Sequence, residues 1–417
     1  MNMGWPTVNL GDVSDLQNGF AFKSKSFKDS GTPVLRISNI QGEEVSDNRP
    51  VYVDENDYSE NLSKYYVNQG DLLIAMSGGT TGKIGFLRTG TRYLLNQRVG
   101  LFRPTKKLDK QYLFYFLLTK SEESLKISAG SAQPNLSTKQ IKGFQIPLPP
   151  VEEQKRIVAI LDEVFIGIDT VIANAEKNLA NARELFESYL SNLFNEKHEK
   201  WEVYELGDLC DFLNGFAFKS KDTVETSNVQ LIRMGNLYQN NLDLDRKPAF
   251  YPETFADEFE RYRLNEGDLI ISLTGTVDKE DYGYTVEIPR TDRVLLLNQR
   301  IAKFVNIDTS LIDKSFLLFV LRSRFFLDAL YASARGVRQA NLSTVAMKKM
   351  TVSLPSISEQ QQIVKNLSQL QNDIQRLQAI YQEKLNSLKE LKQSLLQKAF
   401  SGELTAEGDK LMGEAVA

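Results

Sequence analysis

The octapeptide NGFAFKSK occupies residues 18–25 and returns unchanged at residues 214–221. No other feature of the chain limits its possible folds as sharply. Eight identities in 417 residues require either two copies of a site or two copies of a domain. Further matches decide between these. Trp5 pairs with Trp201 and LGDV (10–13) with LGDL (206–209), both at offset 196. GDLLIAMSGG (70–79) pairs with GDLIISLTGT (267–276) at 197, and LLNQRV (94–99) with LLNQRI (296–301) at 202. QPNLST (133–138) pairs with QANLST (339–344), and IPLPPVEEQKRIV (146–158) with VSLPSISEQQQIV (352–364), both at 206. The repeat is therefore a whole domain, and insertions near 277–292 account for most of the drift.

Each copy changes character at its proline junction. Upstream, short apolar runs such as VLRISNI and DLLIAM are separated by Gly, Asn and Asp, the pattern of strands and turns. YLFYFLLTKSEESLKI (112–127) and SFLLFVLRSRFFLDALY (315–331) predict buried helices, so each globular part is mixed α/β. Downstream of Pro149–Pro150 and Pro355, glycine almost vanishes and the apolar spacing alternates between four and three. In copy one the positions are Ile157, Leu161, Val164, Ile168, Val171, Ala175, Leu179, Ala182, Phe186, Tyr189 and Leu193. In copy two they are Ile363, Leu367, Leu370, Ile374, Leu377, Tyr381, Leu385 and Leu388. This spacing predicts two coiled-coil helices, each roughly 60 Å long at about 1.5 Å per residue. Consecutive four-residue steps at 171–175–179 and 377–381–385 predict a matched local unwinding. Ser358 with Gln361 has the spacing of a capping box for the second helix, as Ser137 with Gln140 has for a short helix after NLST. A pseudo-twofold axis across the helix pair predicts an antiparallel arrangement, one globular domain at each end of a rod. It also predicts the C-terminal SGELT near Trp5.

Composition narrows the chemistry. The longest apolar runs, such as Phe316–Leu321, are too short to span a bilayer. MNMGWPTVNLGD has neither a basic nor an apolar leader region, so no signal peptide is expected. One cysteine, Cys210, excludes an internal disulfide and a cysteine-cluster metal site. Together these predict a cytoplasmic protein. The one histidine, His198, lies in the charged junction NEKHEK and is expected to be solvated, so His-based triads and zinc sites are excluded. The net charge of −4 hides variation: +4 over 1–151, −4 over 152–200, −3 over 201–357, +2 over 358–400 and −3 over the last 17 residues. Binding to DNA on charge alone would be weak and salt-sensitive, and would need local basic patches or a partner.

Several motifs have more than one reading. NGFAFKSK presents Lys23 and Lys25, or Lys219 and Lys221, either to phosphates or simply to solvent. Its phenylalanines (Phe20 and Phe22, Phe216 and Phe218) are expected to plug a core. SGGTTGK (77–83) departs from a phosphate-binding loop. Its first glycine is one residue too close, and Ile84 stands where Ser or Thr would hold magnesium. A loop able to enter a DNA groove or to pack on a partner fits better. In LLNQR, Asn96, Gln97 and Arg98, with Asn298, Gln299 and Arg300, can pair with adenine and guanine edges. The alternative is a strand whose polar groups satisfy backbone or a buried ion pair, and identity between copies favours that role for at least one residue. Residues that read sequence should differ between copies, which favours positions flanked by Ala132 versus Arg338 and Pro134 versus Ala340. Gln133, Asn135, Gln339 and Asn341 are then scaffold or phosphate contacts. The chain has no methyltransferase cofactor loop and no nuclease carboxylate–lysine set.

The order W…LGD…NGFAFKS, GDLLIAMSG, LLNQR, NLST…IPLPPVEEQKRIV and a long helix, given twice and ending KAFSGELT, resembles the specificity subunits of type I restriction–modification systems. The resemblance covers essentially the whole chain. LPP-x-x-EQ-x-x-IV and KAFSGELT are its most specific marks, and Ser356 replaces the second proline in copy two. It implies an α+β fold with target-recognition domains at 1–151 and 201–357, spacer helices at 152–200 and 358–400 forming an antiparallel coiled coil, and a tail at 401–417. It implies a non-catalytic chain binding double-stranded DNA, each repeat reading one half of a split target. The implied partners are two methyltransferase subunits and the restriction subunits, with no membrane. S-adenosylmethionine, ATP and magnesium would belong to those partners and no cofactor to this chain. The candidate DNA contacts are Lys23, Lys25, Arg36, Ser77, Thr80, Lys83, Gln97, Arg98, Gln133 and Asn135, with Lys219, Lys221, Arg233, Thr274, Thr276, Gln299, Arg300, Arg338, Gln339 and Asn341. A duplicated coiled-coil scaffold that binds only proteins is the competing reading.

Overall fold

A computed structural model describes residues 4–46, 50–128, 135–195, 200–333 and 339–406. His198, Ala132, Gln133, Pro134, Arg338 and the last part of the tail lie outside these. The chain divides into two compact units, residues 1–175 with 383–417, and residues 176–382. Each long helix is therefore shared between units. No helix among the described residues is long and apolar enough to cross a membrane.

In the first unit the described strands build two large sheets beside the two-stranded pair Thr7–Asn9 with Gln145–Pro147. The larger has the order Ser14–Asn18, Val99–Pro104, Leu72–Ala75, Ile84–Phe86, Glu44–Val45, Ile40–Gln41. The smaller has Val51–Val53, Thr32–Leu35, Tyr93–Leu95, Tyr66–Val67, with Thr32–Leu35 parallel to Tyr93–Leu95. All four residues of Leu72–Ala75 are buried because both faces of this strand are covered. Leu72 and Ile74 join a core with Tyr112, Phe116 and the long helices, whereas Leu73 and Ala75, with Leu101 of the same sheet, face Leu35 and Leu95 of the smaller sheet. Leu94 and Val34 point to the far side of the small sheet and meet Phe20, Phe22 and Tyr58. The second unit repeats the plan, with Leu269 and Ile271 in the helix-side core and Ile270 between sheets.

The two helical stretches at 112–127 and 315–331 are each broken in two. Lys110–Thr119 is followed by Ser121–Ser128, and Lys314–Arg322 by Arg324–Ser333. At the second break Ser323 is extended, and its hydroxyl accepts the Phe326 N–H, so it caps the following helix.

The long helices run Val151–Asn195 and Ile357–Ser401. In the first unit Ile157, Leu161, Phe165 and Ile168 share a core with Leu388, Leu396, Ala399 and Phe400, and Lys392 pairs with Asp169 at 2.7 Å. In the second unit Phe186, Leu190 and Phe194 meet Ile363, Val364 and Leu367. Within each unit the helices thus pass in opposite directions. Trp5, Phe400 and Leu404 border one core in the first unit, so SGELT and Trp5 share it. Two details differ from the sequence pattern. Val164, Val171, Tyr189 and Leu377 are exposed, and the buried positions are Phe165 and Leu190. Phe165 displaces Val164 because its ring packs edge-on against Tyr115 at 5.6 Å. The second helix also begins earlier than Ser358–Gln361 suggests: Ser356 Oγ accepts the Glu359 N–H at 3.4 Å. Leu179, Leu370, Ile374 and Leu385 are buried or partly buried along the helices.

Candidate nucleic-acid interface

The repeated motifs, scattered through the sequence, turn out to be parts of one assembly in each unit. Strand Tyr93–Leu95 leaves the small sheet, turns at Asn96–Arg98, and enters the large sheet as Val99–Pro104. The turn closes with Val99 N–H donating to Asn96 O at 2.9 Å. Phe20 N–H donates to Leu95 O and Gln97 N–H to Phe20 O, so NGFAFKSK is laced onto LLNQR. Met76 N–H donates to Arg98 O, and Leu136 N–H to Met76 O, which adds the SGG loop and NLST. Asn96 N–H donates to Leu35 O, and Thr80 Oγ1 to Ile37 O, which adds the segment beginning at Arg36. In the second unit the same lattice is built by Phe216, Leu297, Gln299, Leu273, Arg300 and Leu342.

Because backbone groups make the lattice, side chains are left over. Gln97, Arg98, Lys23, Lys25, Lys83 and Asn135 are exposed, as are Gln299, Arg300, Lys219, Lys221 and Asn341. A turn thus interrupts the strand of the alternative reading, and in the second unit its asparagine works on local backbone: Asn298 Oδ1 accepts the Arg300 N–H at 3.1 Å. Neighbouring cations are already committed, Lys142 to Asp15 at 2.6 Å and Lys348 to Asp211 at 2.5 Å. Among the described residues the loop and turn cations Lys23, Lys25, Lys83, Arg98, Lys219, Lys221 and Arg300 form no ion pair. Each unit therefore gathers exposed positive charge and hydrogen-bonding groups on a clamped backbone, the combination that phosphates and base edges require.

The other candidates differ in exposure. Ser77 is 6% exposed, so it supports the site rather than forming its face. Arg36 is half-buried, its N–H donating to Asn39 Oδ1. Arg233 is exposed, and its guanidinium donates to Lys247 O. Thr274 Oγ1 contacts Met234 Sδ, and Thr276 is half-exposed. A pocket of about 440 Å³ opens beside Arg233 and Asn298, walled by Phe218 and Tyr251. A larger cleft of about 660 Å³ in the first unit is lined by Glu43, Glu44, Asp109, Asp162 and Asp169. Arg88 and Lys155 also line it.

Reasoning from the sequence missed two residue pairs. A Cβ on Gly19 would lie 2.2 Å from Leu95 O, and one on Gly215 would lie 2.1 Å from Asn298 O, so only glycine lets the two motifs meet. Gln154 is fully buried; its Oε1 accepts the Asp109 N–H at 2.7 Å and its Nε2 donates to Lys107 O and Pro149 O. Gln360 repeats this with Asp313, Leu311 and Pro355. The signal for both was identity across the repeat, which marks framework as readily as function. As for covalent chemistry, Cys210 is buried, and burial pushes its thiol up to about 12, so no thiolate forms near neutral pH. The described residues hold no cluster of three His, Cys, Asp or Glu able to bind a metal.

The type I restriction modification DNA specificity domain matches twice, over residues 2–179 and 198–386. The chain belongs to this family. The MjaVIII specificity subunit of Methanocaldococcus jannaschii is 28% identical over 74% of this chain and 74% of its own. The EcoKI specificity subunit of Escherichia coli K12 is 24% identical over 97% of this chain and 90% of its own. Among solved structures, one from a study of type I R-M complex assembly and conformational transition aligns with TM-score 0.74. It shares 20% identity, and 96% and 99% of the two chains are covered. The HsdS subunit from Thermoanaerobacter tengcongensis aligns with TM-score 0.52 at 19% identity, covering 96% and 98%. Membership makes the chain a DNA target-recognition subunit without catalytic activity, with two specificity domains in tandem.

Proposed function

We propose that each unit reads one half of a bipartite DNA target through its clamped turn, Asn96–Arg98 in one and Asn298–Arg300 in the other. The observation that carries this is that one lattice of repeated motifs is built twice and leaves the same side chains exposed both times. Lys23, Lys25, Lys219 and Lys221 contact phosphates, and Gln97, Arg98, Gln299 and Arg300 make the DNA contacts common to both half-sites. The two long helices set the spacing between half-sites and present equivalent surfaces to two methyltransferase subunits. Restriction subunits complete the assembly. S-adenosylmethionine, ATP and magnesium serve those partners, and the work of this chain is recognition in the cytoplasm.

The test is DNA binding by the chain assembled with its methyltransferase, measured across a salt series. Replacing Lys23 and Lys25 by alanine should flatten the dependence of log affinity on log salt by about one unit per phosphate contact, for all sequences alike. Arg98→Ala should instead relax preference within one half-site, at a cost of about 1–3 kcal/mol for a specific base contact. If both variants bind with the wild-type slope and the wild-type preference, the turn is not the reading surface.

A further inference from the structure

In the second unit the chain does not turn immediately after Leu269–Ser272. Thr274–Thr276 forms a two-stranded antiparallel ribbon with Gln339–Asn341, in the register Thr274↔Asn341, Gly275↔Ala340, Thr276↔Gln339. In the first unit the described part of the same pairing is a single bridge, Ser77↔Asn135, and the chain coils at Gly78–Thr80 with Gly78 at φ +74°.

Alternation places Thr274 and Thr276 on one face of the ribbon and Gly275 on the other. The Gly275 face is closed. A Cβ there would lie 2.6 Å from Asp281 Oδ1 and 2.8 Å from Tyr282 Cβ, and Tyr282 is fully buried. Asp281 also accepts the Thr276 N–H at 2.5 Å, which clamps the ribbon from that side. The ribbon adjoins the reading turn, since Leu273 N–H donates to Arg300 O and Leu342 N–H to Leu273 O. Of its two threonine hydroxyls, that of Thr274 is spent on Met234, whereas that of Thr276 has no partner among the described residues.

We infer that this ribbon is the element with which the second unit enters the major groove, and that Thr276 is a specificity-determining residue for its half-site. The inference rests on reading the chain as a DNA-recognition subunit. A major groove about 12 Å wide admits a two-stranded ribbon. A threonine there offers a hydroxyl that donates to or accepts from a base edge, and a methyl group that packs on a thymine methyl. Gly79, at the matching position of copy one, offers neither.

The experiment uses the full chain assembled with its methyltransferase and a DNA library randomised in both half-sites, methylated at fixed salt and sequenced. Thr276→Val keeps shape and strand preference while removing the hydroxyl. Thr276→Ser keeps the hydroxyl and removes the methyl. At least one should lose discrimination at one base pair of one half-site, by about 10- to 100-fold, while the other half-site and the spacing stay unchanged. If the wild-type complex itself shows no sequence preference, the recognition reading fails. If the wild type is selective and both variants keep every base preference, the ribbon inference alone fails. The small size of these two changes keeps assembly intact, and native mass spectrometry of each complex checks it.

Discussion

A side chain on Gly19 would stand inside the Leu95 carbonyl's contact distance, and the same is true of Gly215 against Asn298. That is why NGF is spelled identically in both copies although neither glycine offers any chemistry. Backbone is the obstacle, so no rotamer change relieves the clash. Gly19→Ala should destabilise the first unit by roughly 2–4 kcal/mol, within the range of overpacking and strain mechanisms. Urea unfolding followed by hydrogen exchange should place the loss in residues around 19–25 and 93–98, with amides of the second unit unaffected. Uniform loss across both units would show that the glycine acts on something other than this crossing. Gln154 and Gln360 follow the same logic with polarity in place of volume. Each is buried with both ends of its amide hydrogen-bonded, and each ties the start of a long helix to the loop before a buried helix. A buried amide is stable only when fully partnered, which accounts for the EQ of both junctions.

Among elements, the first long helix shows how far a heptad pattern reaches. Its apolar positions admit two seams one residue apart, through Val164 or through Phe165, and spacing alone does not choose between them. Packing chooses: Tyr115 stands across from Phe165, and Leu396 and Ala399 complete the same core. Phe165→Ala should cost about 3–5 kcal/mol, as large-to-small core changes do. Val164→Ser should be near neutral, within about 0.5 kcal/mol. Denaturant midpoints of the two variants check this, and equal effects would mean that the seam runs through neither residue as described.

At the scale of the molecule, the tandem family match and the twice-built lattice make modularity the property to test. Cuts within the pair Thr7–Asn9/Gln145–Pro147 cross a ladder held by backbone bonds, which any incoming sequence can supply. Exchanging residues 8–145 for the corresponding domain of a relative with different specificity should change one half of the recognised sequence. The other half and the spacing should be retained, because contacts made in well-separated places add nearly independently. The incoming domain must keep the backbone groups of Lys107 and Asp109 that Gln154 engages. Sequencing of methylated DNA from a host expressing the chimera reads the outcome. A chimera that binds its methyltransferase yet changes both half-sites together would show that the units read DNA jointly.

What the sequence determined alone was order and periodicity. The duplication, the mixed α/β globular parts, the long helices and the family resemblance all lie in local spacing and in identities between copies, which need no knowledge of contacts. His198, Gln133 and Arg338 lie outside the described residues, so for them the sequence is the only guide. Tertiary structure decided which identities are framework and which are surface. NGF, LNQ, SGG and NLS are separate words in the chain, and only folding shows that their main chains bond to one another while Lys23, Gln97 and Arg98 face outward. The physical reason is that a backbone hydrogen bond leaves no mark on residue type, whereas the exclusion of a side chain by backbone can: at Gly19 and Gly215, where Cβ had no room, the sequence kept glycine in both copies.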